Sequence, residues 1–271
     1  MLRALDTTAL AEAFASAEPF PHVVIDDLLT PEARAEVLAA LPRYEDAAQV
    51  GHQFETVNEH RKVQVTDQAK LPEPLQRLLR ELHGPQWLQT LYDITQVPAL
   101  ECDERLIGGG LHMTGRRGRL DVHADFNYLP DIERFRRLNL LLYLNDEWPA
   151  EYGGQLELWD QQMKTCHHVV EPKVGRCVIF ATSTTSFHGT RRVTCPPDRA
   201  RTSFALYYYS HVPPPGFNDE FHGTVFHARP NEWFKGKVLM PLEARFGSLR
   251  YKARQLNPFT RTKPGELPEK T

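Results

Sequence analysis

The chain has 271 residues, 41% hydrophobic and 25% charged, with 16 Gly, 21 Pro and 4 Cys. That balance excludes a wholly disordered chain and suits one large domain or two small ones. A formal charge of −3, from 32 basic and 35 acidic residues, gives no electrostatic case for nucleic acid or an anionic membrane. No apolar run approaches the roughly 20 residues that a membrane span needs. The longest, Leu138 to Leu144, covers seven residues and contains Asn139. Asp6 and Glu12 interrupt any apolar leader, so a signal peptide is not expected. Cys102, Cys166, Cys177 and Cys195 form no C-x-x-C pair, and a cytoplasmic protein is the expectation. His167 and His168 beside Cys166 suggest a metal, but no second ligand pair with zinc spacing follows, and they read as solvent-facing strand residues.

In chain order, a first helix is predicted over about Thr8 to Ala17, then a short strand over His22 to Ile25. Thr30 as N-cap and Pro31 at the first helical position open a second helix, with Val37, Leu38 and Leu41 on its apolar stripe and Pro42 as its stop. The segment from Gln49 to Asp67 is polar and without clear period, and reads as a loop or irregular lid. Leu75, Leu78, Leu79 and Leu82 make a helical stripe between Pro72 and His83, which Gly84 and Pro85 end. A further helix from Pro85 carries Trp87, Leu88 and Leu91.

After Pro98 the pattern changes. Leu138 to Leu144, Gly154 to Trp159, Arg176 to Ala181 and Thr202 to Tyr209 are short runs rich in Tyr, Phe, Val and Ile, which favours strands. No helix-length amphipathic segment separates them. An antiparallel barrel or sandwich is therefore expected rather than a parallel βαβ sheet. Met240 to Arg254 reads as an amphipathic helix covering the barrel or a partner subunit, and Gln255 to Thr271 as a disordered tail. The expected organisation is a helical layer over 1–100, a β core over 101–212 and an extension over 213–254 that packs on it. The 255–271 tail completes the chain.

His123 and Asp125 flank Ala124, and His188 follows 65 residues after the first histidine. In a strand, residues i and i+2 share a face, so His123 and Asp125 can bind one ion together. A second histidine from a neighbouring strand would leave open positions on the metal, as in a non-haem Fe(II) oxygenase site. On the triplet alone a hydrogen-bonded surface pair is the better reading of His123 and Asp125. Alternation along the last strand puts Arg201, Ser203, Ala205 and Tyr207 on one face, and a buried Arg201 would be suited to gripping a carboxylate. Asn139, Leu141 and Tyr143 share one face of another strand, with Tyr143 as core and Arg201 as surface residue the alternative.

Taken together, several segments resemble the prolyl 4-hydroxylase branch of the Fe(II)/2-oxoglutarate dioxygenases. They are His123-Ala-Asp125, Leu142-Tyr-Leu-Asn145 with Trp148, Gly153-Gly154-Gln-Leu-Glu157, Pro172 to Phe180, Phe187-His188-Gly189 and Arg201. The stretch Pro19 to Asp27 is also similar to the opening strand of bacterial and fungal members. The resemblance implies a double-stranded β-helix, a distorted jelly roll, with packed N-terminal helices. It implies a hydroxylase that couples oxidation of an unactivated C–H bond to decarboxylation of 2-oxoglutarate to succinate. Fe(II), 2-oxoglutarate and dioxygen would be required, with ascorbate a further candidate. His123, Asp125 and His188 would be iron ligands. Arg201 would grip the distal carboxylate of 2-oxoglutarate and Tyr143 would donate to it, while Arg191 and Arg192, nearer His188, are rivals for that role. Because Asp125 is retained, the halide position of related halogenases is not expected.

Further candidates are weaker in sequence. Asn139 and His112 could reach the cosubstrate, and Asn127 and Tyr128 begin the loop that often meets substrate in this family. Arg116, Arg117 and Arg119 precede the iron motif, and Arg117 is the substrate candidate among them, unless the run is a solvated hairpin. Trp159 reads as core. The expected partner is a prolyl or peptide substrate, or a small anionic or carrier-bound metabolite. A jelly-roll module that binds a ligand without catalysis is the competing class.

Overall fold

The N-terminal third is held by helix signals that local chemistry supplies, and a computed structural model describes residues 1–218 and 220–242 of the chain. Helix α1 (Thr7–Ser16) starts where Asp6 accepts from the Ala9 N–H, and β1 (His22–Ile25) follows. Helix α2 (Pro31–Ala40) is capped by Thr30, which accepts from Ala33 N at 3.2 Å. Helix α3 (Tyr44–Val50) leads into a hairpin of β2 (His52–Glu55) and β3 (Glu59–Val65). Helix α4 (Glu73–Leu82) buries Leu75, Leu78, Leu79 and Leu82, each contributing about 1.5–3 kcal/mol relative to exposure. Helix α5 (Pro85–Thr95) buries Trp87, Leu91 and Ile94 and ends at Gln96, whose φ of 56° is left-handed.

The hairpin corrects the expectation of a loop over Gln49 to Asp67. Strand β3 has little periodicity of its own. Its ladder comes from pairing with the long strand β5 (Gly110–Ala124), which satisfies backbone groups that no local pattern announces. Strands β4 (Glu101–Cys102), β6 (Tyr128–Leu129), β7 (Arg134–Tyr143), β8 (Leu156–Trp159) and β9 (Cys166–Val170) follow. Then come β10 (Cys177–Ala181), β11 (His188–Thr190), β12 (Ala200–Ser210) and β13 (Val225–His227). His167 and His168 are exposed on β9, as solvent-facing strand residues.

Every strand pairing among the described residues is antiparallel, and the central order is β1-β10-β7-β12-β5-β11-β8-β9. Strand β5 belongs to both halves of this curled sheet. Its first residues, Gly110 to Gly115, pair with β12, while Leu120 and His123 pair with β11. Between them lies a bulge, opposed by another in β3. The helices cover one face, where Val37, Leu78, Leu91, Leu140, Leu206 and Tyr208 join one core. Trp87 donates to the Tyr208 hydroxyl at 2.9 Å, and that hydroxyl donates to Leu82 O at 3.0 Å, so α4, α5 and β12 are linked through one buried phenol.

The segment after β12 turns back over the sheet. Strand β13 pairs with β5, opposing Phe226 to His123. Arg229 donates to Glu157 at 2.7 Å and Lys235 pairs with Asp121, both acids being buried. The described chain ends in a short helical stretch after Lys235, so most of Met240 to Arg254 and all of the 255–271 tail lie outside the described residues. Among the described residues no helix is long and apolar enough to cross a membrane.

Candidate metal and cosubstrate site

His123 lies at the end of β5 and His188 at the start of β11, directly opposite one another in the ladder. Asp125 follows β5 immediately. The ligand atoms of these three buried residues all lie within 4.8 Å of one another. His123 Nε2 is 3.4 Å from Asp125 Oδ1, and His188 Nε2 is 3.4 Å from Oδ2. A backbone carbonyl only accepts, so the Nδ1 of His123 donates to Asp121 O and that of His188 to Ser186 O, each at 2.9 Å. Both Nε2 lone pairs are thereby left to face the carboxylate, the arrangement a metal ion needs.

The electrostatics agree with that tautomer. Burial and the neighbouring His123 push the His188 imidazole down to about 4 against the pull of Asp125. The ring is neutral at neutral pH, the form that ligates metals. Burial would raise the Asp125 carboxyl, but Arg136 and the two histidines outweigh it and hold the group well below its ordinary range.

Arg136 is the residue that sequence reasoning missed. It is 2% exposed, and its guanidinium donates to Asp125 Oδ2 at 2.9 Å and to Asn139 Oδ1 at 2.8 Å. Asn139 donates to the same Oδ2 at 2.7 Å. Asp125 is thus fixed by two donors on one oxygen, while Oδ1 stays open beside His123. The guanidinium also lies over the Tyr207 ring, 3.4 Å from its centroid, and over Phe126 at 4.6 Å. Asn139, expected at the cosubstrate, is instead a partner of the aspartate in this structure.

Arg201 begins the buried stretch of β12 and is 5% exposed. Its Nε donates to Gly154 O at 2.8 Å and its Nη1 to Ser203 Oγ at 3.2 Å. No carboxylate pairs with it among the described residues. Gly154 has a φ of +75°, and a Cβ there would sit 3.0 Å from Arg201 Cδ, so glycine meets both the backbone and the space requirement. Tyr143 lies opposite Ser203 in the ladder, with its ring centroid 5.0 Å from the Arg201 guanidinium carbon. Its hydroxyl is buried without a hydrogen-bond partner. A guanidinium with no acid partner beside a phenol hydroxyl with no hydrogen-bond partner could cradle one carboxylate, which is how the residues present fit the distal end of 2-oxoglutarate.

Arg191 turns outward to Glu157, donating at 2.8 Å, and Arg192 is exposed. His112 lies opposite Ser203 with its Nε2 against Gly109 O at 3.2 Å. Burial, helped by the charges of Lys62 and Arg201, pushes its imidazole down to about 3. Asn127 is held by the C-terminal segment, donating to Glu220 O at 2.8 Å and accepting from His222 N at 3.0 Å. Tyr128 packs on Phe135 and Phe221. Arg117 sits on the β5 bulge, exposed, and Arg119 donates to Val57 O. Trp159 packs with Val122, Ala124 and Phe187 in a small core.

Fold and site define a jelly-roll protein with two histidines and one carboxylate placed so that they could hold a metal ion. Residues 109–209 match the 2OG-Fe(II) oxygenase superfamily. That superfamily works with Fe(II), 2-oxoglutarate and dioxygen, and the match supports a 2-oxoglutarate-dependent oxygenase. The fold is similar to that of a Trichoplax adhaerens prolyl hydroxylase in complex with a hypoxia inducible factor peptide fragment, with TM-score 0.54 and 16% identity over 75% of this chain and 90% of that one. It is also similar to a Phytophthora capsici prolyl 4-hydroxylase, with TM-score 0.54 and 19% identity over 93% of this chain and 83% of that one. The α-ketoglutarate-dependent epimerase SnoN from nogalamycin biosynthesis matches with TM-score 0.51 and 15% identity, over 83% and 93% of the two chains. No curated protein sequence matches the chain.

Proposed function

We propose that His123, Asp125 and His188 hold Fe(II), that Arg201 and Tyr143 hold the distal carboxylate of 2-oxoglutarate, and that a prolyl or peptide-like C–H bond is hydroxylated beside them. The observation that carries this reading is the pair of buried groups without an acid partner, Arg201 and the Tyr143 hydroxyl, in the same sheet as the three ligand residues. Bound iron and 2-oxoglutarate supply the oxidising chemistry, coupled to release of succinate. The chain's own residues bind, orient and exclude water. Asn139 and Arg136 hold the Asp125 carboxylate, and the Asp121 and Ser186 carbonyls hold the imidazoles. No side-chain general base is required.

The peptide reading draws support from the aromatic side chains on the loop after Asp125 and the strand that follows it. Tyr128 and Phe135 pack with Phe217 and with Phe221, which is 58% exposed. Such rings suit an apolar prolyl ring better than a highly charged ligand. The arginines on the β5 bulge favour a small anionic metabolite as the second reading. Proline-containing peptides and a metabolite panel, compared under identical Fe(II)/2-oxoglutarate conditions, separate the two. Peptide-dependent succinate with one oxygen gained on the peptide is expected, and metabolite-dependent turnover with no peptide oxidation overturns the peptide reading.

The carboxylate cradle has its own test. Arg201→Ala is expected to weaken apparent 2-oxoglutarate binding by about 2–5 kcal/mol, since a buried carboxylate loses a charged partner. Tyr143→Phe removes one hydrogen bond to a charged group, about 1.5–3 kcal/mol. Anaerobic titration followed by the visible charge-transfer band of the Fe(II) chelate reads both. A larger effect from Arg191→Ala or Arg192→Ala would move the anchor away from Arg201.

A further inference from the structure

We propose that a cleft outside the metal and cosubstrate site, between the facing bulges of β3 and β5, binds the phosphoryl group of a small phosphorylated ligand. The cleft has a volume of about 250 Å³ and is lined by Arg61, Arg116, Arg117 and Pro197. It lies beside β5 and six residues along the chain from His123, at most about 20 Å of extended chain. It is distinct from the Arg201 cradle, which is buried.

Three features of the chain converge here. The first is uncompensated charge. Lys and Arg are outnumbered by Asp and Glu in the whole chain, 32 to 35, yet no carboxylate pairs with any of these three guanidinium groups among the described residues. Glu55 accepts from the Arg61 backbone N–H and pairs with His60 instead. Three like charges around one hollow repel each other, and a multiply charged anion relieves that repulsion.

The second is backbone. Arg61 and Arg117 have φ values of 50° and 70°, in the left-handed region that non-glycine residues rarely occupy. They stand on bulges that face each other, since β3 skips a register step between His60 and Lys62 and β5 extends between Thr114 and Arg119. The β5 bulge is rigidly built. Arg117 N donates to Val193 O at 2.7 Å, and a Cβ on Gly118 would meet His60 O and Gly115 O at 2.8 Å. Strained positions held this firmly occur where the placement of a side chain matters.

The third is chemistry. Guanidinium forks match phosphate oxygens in pairs, and three forks around one hollow exceed what a single carboxylate can use. Arg61 also lies near an aromatic ring, its guanidinium carbon 6.0 Å from the Tyr44 ring centroid. The cleft is open on its outer side, so the remainder of the ligand stays free to extend along the surface.

Calorimetric titration of the full chain, loaded anaerobically with Fe(II) and 2-oxoglutarate, uses inorganic phosphate as the probe and acetate as the carboxylate control at matched ionic strength. One phosphate per chain and weaker acetate binding are expected. The double variant Arg116→Gln and Arg117→Gln is expected to bind phosphate about tenfold more weakly or worse, a loss of at least about 1.4 kcal/mol. The charge-transfer band of that variant should match wild type, which separates this site from the oxygenase reading. Arg201→Ala should leave phosphate binding unchanged. Equal binding of acetate, undiminished phosphate binding in the double variant, or loss of phosphate binding in Arg201→Ala would each overturn the proposal.

Discussion

His188→Ala is expected to abolish turnover and lower iron content to background while leaving the fold intact. The ring sits at a ladder position opposite His123, and its Nδ1 bonds only the Ser186 carbonyl of its own turn. Removing it deletes one of three ligand atoms without emptying a large core. His123→Ala and Asp125→Ala are expected to give the same loss of metal. Metal analysis and succinate release read the first effect, and circular dichroism reads the second. Wild-type iron content in His188→Ala would remove His188 from the ligand set.

The second large effect is expected from Arg136→Met. Arg136 is buried against Asp125, and deleting one partner of such a pair leaves an uncompensated charge, a loss of about 3–5 kcal/mol. Urea unfolding of the protein without added metal measures it. Combining Arg136→Met with Asp125→Asn should recover much of the loss, because the remaining charge is then gone as well. The same double variant has no carboxylate ligand and should bind little iron, so stability and metal binding separate. A loss below about 1 kcal/mol in Arg136→Met would mean that Asp125 finds its compensation elsewhere.

Arg136 also marks the limit of what could be read from residues alone. Strict alternation back from Asn139 puts Arg137 on its face of β7 and Arg136 on the other. In the structure Tyr208 opposes Leu138 but Tyr209 opposes Arg136, so Arg137 is skipped in a bulge and the phase reverses. One extra residue therefore carries Arg136 to the aspartate, while Arg137 reaches Val212 O. No periodic pattern marks that exchange. Asn127 is a second case, because its partners Glu220 and His222 lie more than ninety residues later in the chain. By contrast, α2, α4 and strands β7, β8, β10 and β12 rest on caps, leucine stripes and short apolar runs that are local. The pairing of His123 with His188 was legible only through motif resemblance, since nothing in either triplet fixes the register of β5 against β11. The β2–β3 hairpin was illegible for the same reason as Arg136: its partner strand supplies the order.

Strand β13 gives the C-terminal segment a role beyond packing. Along its second half, β5 is flanked by β11 on one side and by β13 on the other. A chain ending at residue 212 would leave the backbone N–H and C=O groups around His123 as a free sheet edge. Such an edge exchanges its amide protons with solvent and offers a template for another molecule's strand. The segment that begins after β12 thus acts as an edge guard, keeping the strand that bears His123 from adding a stranger to its ladder.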